Sequence, residues 1–300
     1  MPTACRLVMF LLITSVATVR PDDHVMAAST EAASDGQATQ AASLKPVAAS
    51  ADIPFSSYEA DSEQQLLALA NQSRQQAGAP PLKMDAGLSQ AARLHAQAMI
   101  RAHQLSHQFD GEPSLPQRLA AATTLQLDAD GENVAFDSDA AAGHAHLMLS
   151  PPHRANLLNP EYNVVGMGAI RSGDRLYIVE DFGHSVPGYS MTQWKDRIAS
   201  AVNRGRQQAS QPALKRRDLL NADDAACSML QADKLGTAAV HKLAERFTVL
   251  TYTSLHPETL PNGANQAIAG QNLESFSIGA CYGRSQTYTT GMYWVVLTLN

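Results

Sequence analysis

Three residues of this chain are of types that together do chemistry: His107, Glu132 and His153. Two neutral imidazoles and a carboxylate can surround a divalent transition metal such as zinc and leave a position open for water. The same trio suits acid–base work, because imidazole titrates near neutral pH. The three lie far apart in sequence, so only folding can gather them. Other combinations fall away on residue type. His103 and His107 would share a face of a continuing helix, but a zinc protease of the His-Glu-x-x-His type needs a Glu where Gln104 stands. His144 and His146 point to different sides of a helix, and Asp128, Asp130 and Asp137 lack the spacing and closing Glu of a calcium loop. The sequence has no G-x-S-x-G elbow and no Gly-rich phosphate loop. Catalytic residues are therefore unassigned, with His107, Glu132 and His153 the candidates.

Helices and a hairpin must carry these residues. Asp61 or Ser62 can cap a first helix that Gly78 and Pro80-Pro81 stop. Asp85 caps a second, whose stripe of Leu88, Ala92, His95, Met99 and Ala102 makes His95 a satisfied core residue. Pro113 to Ala122 reads as a short helix with Leu115 and Leu119 inward and Arg118 exposed, followed by a polar loop from Thr123 to Gly131. Asp137 or Ser138 caps a helix toward Leu149 that Pro151-Pro152 must break. Ser150-Pro151 starts a new one, which puts His153 in its first turn. Val164 to Ile170 and Leu176 to Phe182 predict an antiparallel hairpin across Ser172-Gly173. Gly166 and Gly168 bare one face of it for close approach. Helices followed by a hairpin give an α+β domain.

The net charge of −6 and the pI near 5.9 argue against a nucleic-acid partner. Arg6 before the apolar run Leu7 to Val19 reads as a signal peptide over residues 1–27, so the protein is expected to be secreted or periplasmic with no further transmembrane segment. Residues 28–60 are too polar to pack and form a disordered linker. Cys227 and Cys281 are the even pair left after the signal; in an oxidising compartment they predict a disulfide, the alternative being two unrelated buried thiols.

Residues 189–300 change character. An amphipathic helix through Trp194, Ile198, Ala201 and Val202 leads to a charged, Gln-rich connector from Arg204 to Asn221. Helices Ala222 to Leu235 and Ala238 to Arg246 follow, with strands Phe247 to Thr253, Ser275 to Tyr282 and Met292 to Leu299. The last two echo Val165-Gly166-Met167-Gly168 and Tyr177-Ile178-Val179, as a degenerate half-repeat or by chance.

Residues 62–184 resemble the CAP superfamily of cysteine-rich secretory, antigen 5 and pathogenesis-related 1 proteins, also called the SCP domain. The resemblance rests on Leu67, Asn71 and Arg74; Leu82 and Leu88; Ser106-His107; Gly131-Glu132-Asn133-Val134-Ala135; Ser150 to Pro160; and Val165 to Gly168. The missing disulfide framework is that of the bacterial branch. The resemblance implies an α-β-α sandwich over residues 61–188, with a smaller C-terminal α+β extension as an accessory region. It implies a cleft lined by two His and two Glu in which the histidines hold a divalent metal, often zinc. His107, Glu132 and His153 match three of the four, and Ser150 stands at the second Glu. It further implies a binding or interaction protein for a small ligand, with lipid or sterol among the family's ligands, or for an extracellular protein. The alternatives are a peptide or ester hydrolase with Glu132 as base to a metal-bound or His-activated water, and a rigid scaffold with a residual site.

Overall fold

The computed structural model describes residues 58–300; the expected signal and the linker up to residue 57 lie outside the described residues. The first lobe runs α1 (Ala60–Ala77), β1 (Lys83–Met84), α2 (Ala86–Ala102), α3 (Leu115–Ala122), β2 (Leu127–Asp137), α4 (Ala140–Leu149), α5 (Pro151–Leu158), β3 (Val164–Ser172) and β4 (Arg175–Ser185). Its strands lie in the order β1-β3-β4-β2. The β1–β3 pair is parallel and the others antiparallel.

Local chemistry sets the boundaries. Asp85 accepts from Leu88 N at 2.8 Å to start α2, and Gly78, at φ 76°, closes α1. Gly173, at φ 62°, turns the β3–β4 hairpin. The helix predicted from Asp137 or Ser138 starts instead at the cap Asp139, whose side chain accepts from Ala142 N. Nor is Thr123 to Gly131 a loop throughout, since β2 already begins at Leu127. Its acidic residues alternate without bulk and hide a strand that pairs along the whole of β4.

Helices cover both faces of the sheet, which is why β3 and β4 are buried almost end to end. Leu66, Leu157, Met167 and Ile178 pack on one face; Ala92, Met99, Val134 and Val179 pack on the other, under α2. Contact there is tight. A methyl on Gly166 would lie 2.1 Å from the Leu88 carbonyl carbon, and one on Gly168 2.5 Å from that of Ala92. Arg74, fully buried, ties α1 to the α5–β3 connection. Its guanidinium donates to Pro80 O at 2.7 Å and to Leu157, Asn159 and Tyr162 O, each at 2.9 Å.

The second lobe repeats this plan: α6 (Met191–Gln208), β5 (Lys215–Arg216), α7 (Ala222–Ala232), α8 (Ala238–Ala244), β6 (Thr248–Ser254), α9 (Asn262–Ile268), β7 (Ser275–Gly283) and β8 (Met292–Leu299). The strand order is β5-β7-β8-β6, with the same parallel and antiparallel senses. The expected connector from Arg204 is therefore a correction, because α6 continues to Gln208. Arg206 is buried and donates to Pro212 O and Ile268 O, both at 2.8 Å, and to Gly270 O at 2.5 Å. It does in this lobe what Arg74 does in the first. The half-repeat noted in the last hairpin thus extends to the whole lobe. Cys227 and Cys281 are bonded and clamp α7 to β7, closing a loop worth about 4 kcal/mol in chain entropy. No helix among the described residues is long and apolar enough to cross a membrane.

Candidate functional site

His107 lies between α2 and α3, Glu132 in the middle of β2, and His153 in the first turn of α5. His103 ends α2 in the left-handed conformation, so it and His107 do not share a helix. Glu132 and His107 meet directly: His107 Nδ1 donates to Glu132 Oε1 at 2.8 Å. Because a carboxylate only accepts, Nδ1 carries the proton of this hydrogen bond and Nε2 is left outside it. The Glu132 side chain is 3% exposed and that of His107 59%, so the acid sits behind the imidazole. His153 stands close enough to His107 for the two rings to interact electrostatically. Burial first, and His107 second, lower its proton affinity.

The group that makes a buried Glu132 tolerable is one the sequence placed in solvent. Arg118 is buried, and its Nη2 donates to Glu132 Oε2 at 2.5 Å. A helical wheel turns a charged residue outward because burying it alone is costly; here the counter-charge comes from a strand whose proximity the wheel cannot show. Arg118 also donates to His107 O at 3.3 Å, so one guanidinium fixes both the acid and the segment bearing the imidazole. His95 is buried as expected, with its ring nitrogens on Glu112 Oε1 at 2.7 Å and Ser106 O at 2.8 Å.

Asn133 brings His153 in. Its Nδ2 donates to His153 O at 3.1 Å and to Glu180 Oε2 at 3.0 Å, while its Oδ1 accepts from Asn156 Nδ2 at 3.0 Å. Gly131 must be side-chain free, since a methyl there would lie 2.4 Å from Tyr162 Oη, which donates to Asp130 O. The Gly131-Glu132-Asn133 run therefore supplies a gap, a charge and a pin. Ser150 joins α4 to α5 and contributes its backbone, its carbonyl accepting from Arg154 N at 2.9 Å.

Two further acids were hidden inside the apolar run of β4. Asp181 faces Glu132 across the strands and is fully buried, with no hydrogen bond to either oxygen. Burial, then the Glu132 charge, raise its pKa well above the usual range against the pull of Arg118. One guanidinium thus serves a cluster of carboxyl groups, since Arg118 Nη1 also lies 3.5 Å from Glu112 Oε2. Glu180, on the opposite face of the strand, is pushed from an ordinary 4.5 to about 7 by burial, with Asn133 opposing. A carboxyl whose folded pKa is raised contributes stability at acid pH that is lost as pH climbs from about 4.5 to about 7, here about 3 kcal/mol. Glu180→Gln should accordingly be more stable than wild type at pH 7, with a shallower fall in stability across that window. Urea unfolding at pH 5 and pH 7 checks this; parallel losses in the two proteins would contradict it.

His144 and His146 go to different partners, Ser73 Oγ at 2.9 Å and Asp137 Oδ2 at 2.5 Å. Among the described residues no group of three His, Cys, Asp or Glu side chains has metal-holding geometry, in keeping with Glu132 being turned to Arg118. A concavity of about 520 Å³ on α6, lined by Ser200, Asn203, Arg204 and Gln207 among others, belongs to the second lobe.

The sequence profile of the Cysteine-rich secretory protein family, CAP, matches residues 67–182, which include His107, Glu132 and His153. The chain is 31% identical over 112 residues to the uncharacterized protein YkwD of Bacillus subtilis, covering 37% of this chain and 43% of that one. It is 31% identical over 140 residues to the uncharacterized membrane protein YlbC of the same organism, covering 46% and 39%. It thus spans less than half the length of these curated relatives. Among solved structures, an extracellular SCP-domain protein from Bacillus anthracis is 26% identical with a TM-score of 0.39, over 42% of this chain and 41% of that chain. Over residues 67–182, the stretch that carries His107, Glu132 and His153, the chain is thus similar to the CAP family of cysteine-rich secretory proteins.

Proposed function

We propose that the protein is a secreted or periplasmic binding protein whose CAP cleft takes a divalent transition metal such as zinc, or a small ligand, on His107 and His153. The observation that carries this is the Arg118–Glu132–His107 chain, with contacts of 2.5 and 2.8 Å. A carboxylate that orients one imidazole nitrogen leaves the other as a directed, more basic donor. The second donor, His153, has its proton affinity lowered by burial and by the neighbouring His107. Two imidazole nitrogens suit a borderline-soft cation, and water or a ligand atom would complete its coordination. When bound, such a metal would polarise a ligand oxygen; this chain's residues orient the donors and neutralise the acid behind them. Binding is favoured over hydrolysis because Glu132, the base a hydrolase needs, is already committed to a guanidinium and an imidazole.

Purified protein equilibrated with zinc by dialysis should retain one ion per chain, and His107→Ala with His153→Ala none. Glu132→Gln should weaken uptake about 10–100-fold. Equal zinc content in wild type and the double variant would overturn the assignment.

A further inference from the structure

The second lobe keeps the scaffold of the first and lacks its polar site. In the first lobe Gly166 aligns with Asp181, which in turn faces Glu132; in the second, Gly279 aligns with Val296, which faces Thr251. Where the cleft has two carboxyl groups, this lobe has a valine and a threonine.

What it does have is a grip on one stretch of the first lobe. Arg284 donates to Ala120 O in α3, and Tyr293 Oη donates to Gln126 Oε1 at 3.2 Å. His256 Nε2 meets Asp128 Oδ2 at 2.6 Å, while the other oxygen of Asp128 takes His184 Nδ1 at 2.5 Å. Asp128 is available for this because it is the extra residue of a bulge: Leu127 pairs with Ser185 and Ala129 with His184, which leaves Asp128 outside the ladder. All three gripped residues fall between Arg118 and Glu132, the two halves of the buried ion pair behind His107.

We infer that the second lobe is a positioning lobe for the cleft: by holding Ala120, Gln126 and Asp128 it fixes the segment that sets Arg118 and Glu132 against His107. The shared Asp128 carboxylate, gripped by one histidine from each lobe, is the centre of that hold. The inference is independent of what the cleft binds.

The test uses the full chain with His256→Ala, which removes the clasp at a half-exposed position outside the cleft, and His256→Gln, whose amide nitrogen can replace Nε2. Amide hydrogen exchange and the ring NMR signals of His107 are read without ligand. In His256→Ala, exchange over residues 118–132 should rise about tenfold while α1 and the β7–β8 hairpin stay as in wild type. The His107 Nδ1 proton signal should shift or broaden as its hydrogen bond to Glu132 loosens, and His256→Gln should restore both. Unchanged exchange at 118–132, an even rise across both lobes, or an undisturbed His107 signal would overturn the inference.

Discussion

Replacing Arg118 by methionine should cost about 3–5 kcal/mol of stability, the penalty for stranding a buried charge by removing its partner. Methionine fills much the same volume, so the loss is electrostatic in origin. Glu132 would keep only two imidazoles beside its charge, His107 Nδ1 at 2.8 Å and His95 Nε2 at 3.7 Å, next to the buried Asp181. Two internal checks follow. The loss should shrink in acid, where the carboxyl is protonated, and Arg118→Met combined with Glu132→Gln should recover most of it. Urea unfolding of the two variants near pH 7 decides the matter. A double variant no more stable than the single would show that Arg118 matters for packing and not for the charge behind His107.

Arg74→Met should be about as damaging, for a different reason. Four backbone carbonyls converge on this one guanidinium. Each buried acceptor left without a donor costs about 1–3 kcal/mol, so a total loss of about 4 kcal/mol or more is expected. Lysine should rescue only in part, since an ammonium cannot reproduce the planar fork. The second lobe supplies a matched control. Arg206→Met should cost a comparable amount while protection of β3 and β4 against hydrogen exchange persists, whereas Arg74→Met should weaken those strands first. A loss below about 1 kcal/mol on either substitution would mean that water replaces the guanidinium.

What the sequence disclosed depended on whether the controlling interaction was local. Asp85 as a cap, the break at Pro151-Pro152, the bare glycines of β3 and the apolar stripe around His95 are each decided within a few residues, and each was readable. Arg118 was misplaced because its partner is fourteen residues away on a strand, a separation at which helical periodicity says nothing. Glu180 and Asp181 sat in plain view within an apolar run, yet nothing local tells an exposed acid in a strand from a buried one. Two consecutive acids in a strand covered on both faces must both be buried, and that was the usable signal.

The second lobe shows a signal present and unread. Residues 71–83, NQSRQQAGAPPLK, recur at 203–215 as NRGRQQASQPALK. The shared Asn, Arg, Pro and Leu do the same work in both. Asn71 brackets the Leu82 backbone with bonds of 3.0 and 2.7 Å, and Asn203 brackets that of Leu214 with bonds of 3.4 and 2.9 Å. Glutamine-rich, charged composition resembles a linker, and it masked a helix end whose arginine is buried. Composition averages over residues; here one side chain in the segment carried the structure.

The most direct measurement is a crystal structure of the full chain grown with zinc, with the metal located by its anomalous signal. One ion should appear between His107 Nε2 and a ring nitrogen of His153, with Glu132 still on His107 Nδ1 and Arg118 behind it. An ion elsewhere with this cleft empty, or a Glu132 turned away from Arg118 to take the metal itself, would contradict the arrangement derived from the sequence upward.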